Sequence, residues 1–184
     1  MKQNSEVDEA TLLQRVAAQC GSIASNPKES PVATKRTWSL PGFGPGARVT
    51  TAFGDVPVEA LRRRDPIKTR DGRFLGVQHL DIVRLDRRYL LTHPDAQPIE
   101  IQKDGLAPKI PIRTILMSGA QKISPLGRFD QVSAEIAADY VELGRAERKL
   151  HGYFTYYVFH CGERCTVNID GIWIDLDHDS IKKN

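Results

Sequence analysis

From Trp38 onward the sequence is cut into short β-rich runs by Gly, Pro and Asp. The runs include "ARVTTAF", which stops at Gly54-Asp55, then "VPVEAL", "RRYLLTH", "QPIEIQ" and "IRTILMS". Asp71-Gly72 stands between two alternating stretches in "PIKTRDGRFLGVQHLDIVRL". That is a hairpin signal, because both residue types accept the backbone of a tight turn. "IRTILMS" is more continuously apolar, as a buried strand is. "GYFTYYVFHCGERCTVNIDGIWIDL" is rich in the Tyr, Phe, Val and Ile that pack well on a pleated surface. One stretch departs from the pattern: "FDQVSAEIAADYVELG" has Val132, Ile136 and Tyr140 at helical spacing. So many short strands predict a mainly β domain over residues 39–184, sandwich- or barrel-like, rather than βαβ units.

Residues 1–38 read differently. Leu12, Leu13, Val16, Ala17 and Cys20 fall at helical spacing within Val7 to Cys20. They predict one amphipathic N-terminal α-helix of about three turns. "GSIASNPKESPVATKRT" follows with the composition of a flexible linker. A lone helix of this length is marginal in water, so it docks or frays; docking on its own domain comes first, and a partner-binding or dimerisation arm second. The segment is the best-motivated contact element for a partner.

Composition removes several function classes. A chain of 184 residues makes one domain and a tail. Its formal net charge of +3 is spread over interspersed signs, too little to predict nucleic-acid binding. The basic clusters "LRRRD" (Leu61 to Asp65) and "RLDRR" (Arg84 to Arg88) lack the interleaved aromatics that stack on bases. No apolar run is long enough to span a bilayer, and the polar N-terminus has no signal-like apolar core. An odd cysteine count of 3, with no signal peptide, predicts reduced thiols in the cytoplasm.

Three blocks carry a family likeness. "ARVTTAFGDVPVEALRRRDPIKTRDG" resembles the opening of Hint domains, the Hedgehog/intein autoprocessing fold, in the bacterial form often found at the end of larger proteins. Gly54, Pro57, Val58, Glu59, Leu61, Asp65, Thr69, Asp71 and Gly72 fit that opening. "THPDAQPIEIQKDGLAPKIPIRTILMSGAQKI" is similar to the family's middle block at His93, Pro94, Pro98, Ile99, Ile101, Gly105, Leu106, Pro111, Leu116 and Ser118. "TYYVFHCGERCTVNIDG" is similar to its closing block at Thr155, Tyr156, Tyr157 and Gly171. The likeness implies a Hint-like β domain.

It also implies a chemistry that this chain is poorly equipped to perform. Hint autoprocessing begins when a Cys or Ser side chain at the domain's first position attacks the carbonyl before it. The resemblance places Gly42, which has no nucleophile, at that position. Ser39 is the nearest hydroxyl, and using it would misplace the reacting atom by several ångströms, where attack needs about 3–3.5 Å. The family's hydroxyl residue and the His three positions later correspond to Ser118 and Gln121. An amide can donate a hydrogen bond but cannot shuttle a proton near neutral pH. Gly119 and Ala120 replace the usual Pro and acidic residue of that turn. In the closing block Val158 stands at the family's His, and Arg164 and Cys165 at its His-Asp pair. His160 is a fallback only in a shifted register. The expectation is a degenerate Hint-like domain acting as a binding module. The alternative is residual self-cleavage through Ser39, Ser118 or His160. The short segment before Gly42 leaves little cargo to release, which adds to the first expectation.

Other candidates have plainer readings. "HCGERC" groups His160, Cys161 and Cys165, with a turn at Gly162-Glu163 able to bring the thiols together. The spacing is wrong for a zinc pair, so ordinary thiols come first and a reversible disulfide or a redox- or metal-responsive module second. "IDGIWIDLDHDS" places Asp170, Asp175, Asp177, His178 and Asp179 in a run that lacks the Gly and Glu of a calcium loop. A solvated acidic edge is expected there. His79, where the family has Trp, reads as a packing residue. No cofactor and no metal is expected.

Overall fold

The computed structural model describes residues 38–124 and 135–177, which fall within one unit of the chain, Arg36–Asn184. The helix expected within Val7 to Cys20, its linker, Val132, His178 and Asp179 lie outside the described residues. The described chain is mainly β, and every strand pairing in it is antiparallel.

The largest sheet contains β1 (Arg48–Thr51), β2 (Gly54–Pro57), β3 (Pro66–Lys68) and β4 (Phe74–Gly76). Its later members are β8 (Lys122–Ser124), β9 (Glu135–Ile136), β12 (Cys165–Ile169) and β13 (Ile172–Leu176). The order is β4-β3-β1-β12-β13-β8-β9, with β2 paired to β1. A second sheet is built from β6 (Ile99–Ile101), β7 (Ile115–Met117) and β10 (Glu147–Arg148), in the order β10-β6-β7. A third pairs β5 (His79–Leu85) with β11 (Phe154–His160).

Phe43 joins the second and third sheets. It bridges Met117 of β7 on one side and Tyr157 of β11 on the other. Its N–H donates to the Tyr157 carbonyl at 3.0 Å, and its carbonyl accepts from the Tyr157 N–H at 2.8 Å. Gly44 N–H donates to Leu116 O at 2.7 Å, and Ser118 N–H donates to Gly42 O at 2.9 Å. The Phe43 ring is buried in the core, its centroid 6.0 Å from that of Phe159. Glu59, of the "VPVEAL" run, steadies the approach to β1 by accepting from Gly46 N–H with both carboxylate oxygens, at 3.2 and 3.0 Å.

Strand alternation builds two cores. Along β11, Phe159 and, beyond its end, Cys161 face the main core with Ile67, Met117 and Val167, and Tyr157 packs against it. Phe154 and Tyr156 belong to a smaller core with Leu85, Leu90 and Ala96. Tyr156 hydroxyl donates to Ala96 O at 3.0 Å, and burial pushes its pKa up.

Three local expectations are corrected. "RRYLLTH" is not a strand but helix α1 (Arg87–Thr92). Asp86 caps it, its carboxylate accepting from Tyr89 N–H at 2.8 Å, and one apolar residue, Leu90, is buried. The helical pattern through Ile136 gives way to β9, because the edge of β8 pairs there, Lys122 with Ile136 and Ile123 with Glu135. Among the described residues of this stretch, Asp139–Glu142 form a helix, α2; Asp139 accepts from Ile136 N–H at 3.0 Å, and Gly144 (φ 68°) follows the helix. Asp170 and Asp175 are not a solvated edge: both are buried. Asp170 and Gly171 (φ 47° and 89°) make the two-residue turn between the paired Ile169 and Ile172. The expected β3–β4 hairpin is present, with Gly72 at φ 84°. There the Thr69 hydroxyl and then Arg73 hold the Asp71 carboxyl down to about 2.

The sheet junction and the buried turn can each be tested. Phe43→Ala removes a buried ring at the junction and costs about 3–5 kcal/mol, read as a lower urea midpoint; an unchanged midpoint would remove Phe43 from its joining role. Asp170 accepts from Arg48 N–H at 2.9 Å and pairs with Arg113 at 3.2 Å, yet burial holds its carboxyl above the ordinary 3.8. A raised folded pKa means that the folded state loses stability as pH rises from the unfolded value through the folded one. Asp170→Asn removes that dependence and suits the positive φ. The variant's unfolding midpoint therefore gains on the parent's from about pH 4 to pH 7; a constant difference would contradict the assignment.

Candidate functional site

The segment that enters the sheet junction also forms one wall of a small cavity. Ser39, Pro41, Gly42 and Phe43 line it from this segment, Ala120, Gln121 and Lys122 from the β7–β8 turn, Val158 and Phe159 from β11, and Asp175, Leu176 and Asp177 from the end of β13. Its volume is about 110 Å³, room for a few waters or a small polar group.

The fold thus brings Gly42, Gln121 and Val158 together, although they lie far apart in sequence. Gly42 is packed tightly. A Cβ there would lie 3.2 Å from Tyr156 Cβ and 3.2 Å from Val158 Cγ2, closer than side chains normally approach. Val158 therefore fills the space beside the Gly42 Cα. Gln121 is buried at the turn, its N–H on Ser118 O at 3.1 Å and its side-chain amide donating to Lys122 O at 3.3 Å.

Ser118 is fully buried, and its hydroxyl is engaged in both roles. It donates to Leu40 O at 2.7 Å and accepts from Trp38 Nε1 at 2.9 Å and Ala120 N at 3.2 Å. Those bonds tie the entering segment to the end of β7 and use the oxygen's ordinary hydrogen-bonding capacity. Trp38 in turn packs against Tyr89 and Tyr156, ring centroids 6.0 and 5.8 Å away.

Arg164, Cys165 and His160 do not line this cavity. Arg164 clamps Asp175 with two bonds, 3.1 and 2.7 Å, a pairing that raises its own pKa further. Asp175 is the buried partner, so the guanidinium neutralises a carboxylate at the cavity wall. Cys165 pairs across the sheet with Leu176. His160 stacks on His79, its strand partner, at 5.2 Å, and its Nδ1 accepts from Gly162 N–H at 3.0 Å. His79 is thus a half-buried packing residue.

Polar groups reach the cavity from residues that the sequence alone does not assign to it. Lys122 and Asp177 form a 3.5 Å ion pair there, and Asp175 joins them on the wall. Asp175 and Asp177 are signalled by the "IDLD" alternation alone, which by itself suggests a solvated edge. Among the described residues, no group of three His, Cys, Asp or Glu is placed to hold a metal ion, and no helix is long and apolar enough to cross a membrane. Neither a thiol nor an imidazole lines the cavity among those residues.

Antiparallel sheets joined by one inserted segment, with a cavity where that segment enters, make the described residues a mainly β domain. The family model of the Hint domain matches residues 41–174, and the chain belongs to that family. The match begins at Pro41, on the cavity wall. No curated protein matches the chain.

The Gly42–Val158 contact is testable by a double-mutant cycle. Gly42→Cys overpacks the wall and costs about 1–3 kcal/mol. Adding Val158→Ala relieves it, so the double variant loses about 1 kcal/mol less than the two single losses combined. Urea unfolding of the four proteins measures this; simple additivity would show that Val158 does not occupy the space.

Proposed function

We propose that this Hint domain does not process itself and acts instead as a binding module. The observation that carries the reading is Gly42. At the position where the family's chemistry begins, the chain has no side chain, and Val158 and Tyr156 crowd the place where one would stand. Two further features support it. The Ser118 hydrogen is committed to Leu40 O, and the amide of Gln121 supplies no proton shuttle. The alternative, self-cleavage through substitute groups, gains no geometric support: Ser39 reaches the cavity wall, but His160 lies against His79 rather than beside it.

The partner in this reading is a protein, engaged through the amphipathic pattern of Val7 to Cys20. Leu12, Leu13, Val16 and Ala17 would present the contact stripe. A cross-linking capture that succeeds with the full chain and equally well with residues 38–184 alone would refute that contact.

Intact mass over time, with dithiothreitol and hydroxylamine, tests the loss of processing. These nucleophiles trap a thioester or ester if an acyl shift occurs. The expected result is a single mass of 20.6 kDa throughout. A fragment pair broken between Pro41 and Gly42 would overturn the reading.

A further inference from the structure

The turn between β11 and β12 carries chemistry that the cavity does not use. β11 ends at His160 and β12 begins at Cys165. Cys161 and Cys165 flank the turn, whose Gly162 has φ 84°, and both are buried, free thiols. Both belong to the main core and stand four residues apart around that turn. A disulfide between them has a bond of about 2.05 Å and Cα atoms within about 7 Å, a span that the two ends of a tight turn can meet.

The two thiols are not equivalent. Cys165 lines an open cleft of about 460 Å³, with Thr69, Arg70, Arg73 and Arg164 around it, while Cys161 does not. The interaction with Cys161 holds the Cys165 thiol down, and the same interaction, followed by burial, holds Cys161 up. Of the arginines there, Arg73 pairs with Asp71 and Glu163, Arg164 pairs with Asp175, and Arg70 lies over the Trp173 ring.

We propose that Cys165 and Cys161 form a reversible disulfide by exchange with a low-molecular-weight disulfide that enters the cleft over Cys165. The Cys165 thiolate attacks one sulfur of RS–SR, forming the mixed disulfide Cys165–S–SR and expelling RS⁻, which takes a proton. Cys161, giving its proton to solvent, then attacks the Cys165 sulfur. The S–SR bond breaks, a second RS⁻ leaves and is protonated, and the Cys161–Cys165 bond remains. Two protein thiols lose two electrons and two protons, and RS–SR gains them as two RSH. The bond ties the end of β11 to the start of β12, and Leu176, opposite Cys165, lies on the wall of the smaller cavity.

The full chain with Cys20→Ser, treated with glutathione disulfide, acid-quenched and alkylated, tests the assignment by intact mass. The expected product has lost two hydrogens, takes up no alkylating group and reverts with dithiothreitol. Adding Cys161→Ser leaves a stable glutathione adduct on Cys165. Adding Cys165→Ser slows adduct formation at least about tenfold. An adduct in the Cys20→Ser chain with no internal disulfide would overturn the proposal. So would failure to react, or an equally fast adduct on Cys161 when Cys165 is replaced.

Discussion

The structure depends on the backbone bonds that Gly42, Phe43 and Gly44 make to two strands at once. β10-β6-β7 and β11-β5 have few partners of their own, and short strand groups are marginal until they share a core. Phe43, bonded to Tyr157 and bridged to Met117, makes them neighbours, and its ring reaches the same core as Phe159. The residues just before it inherit their positions from this insertion. Gly42 is fixed by Ser118 N–H on its carbonyl, and Leu40 by the Ser118 hydroxyl on its own. The candidate site is a consequence of the joint.

That dependence explains why the residues around the cavity have structural work here. Ser118 ties the entering segment down, Gln121 lies buried in the β7–β8 turn, and Val158 packs against Gly42. Each residue has a complete local account that needs no substrate. The charged groups around the cavity are similarly occupied, Asp175 by Arg164 and Lys122 by Asp177.

The fold is legible in the sequence where local chemistry and the partner strand agree. The Asp71-Gly72 hairpin, the buried run before Ser118 and the long "FTYYVFH" strand are all readable from alternation and turn residues. The reading fails where a single contact decides the outcome. Asp86 turns "RRYLLT" into a helix, and the edge of β8 draws Ile136 into a strand. Asp170 and Asp175 look solvated because the sequence does not display their partners, Arg48, Arg113 and Arg164. Positions at the candidate site come from resemblance, and their meeting in one cavity from the fold. Lys122 carries no signal of its own.

The contact between Gly42 and Val158 also couples two distant positions of the sequence. A side chain added at residue 42 alone would crowd the sheet joint, and a smaller residue at 158 alone would open a void. What either position can hold therefore depends on what stands at the other, and the two can be exchanged freely only as a pair.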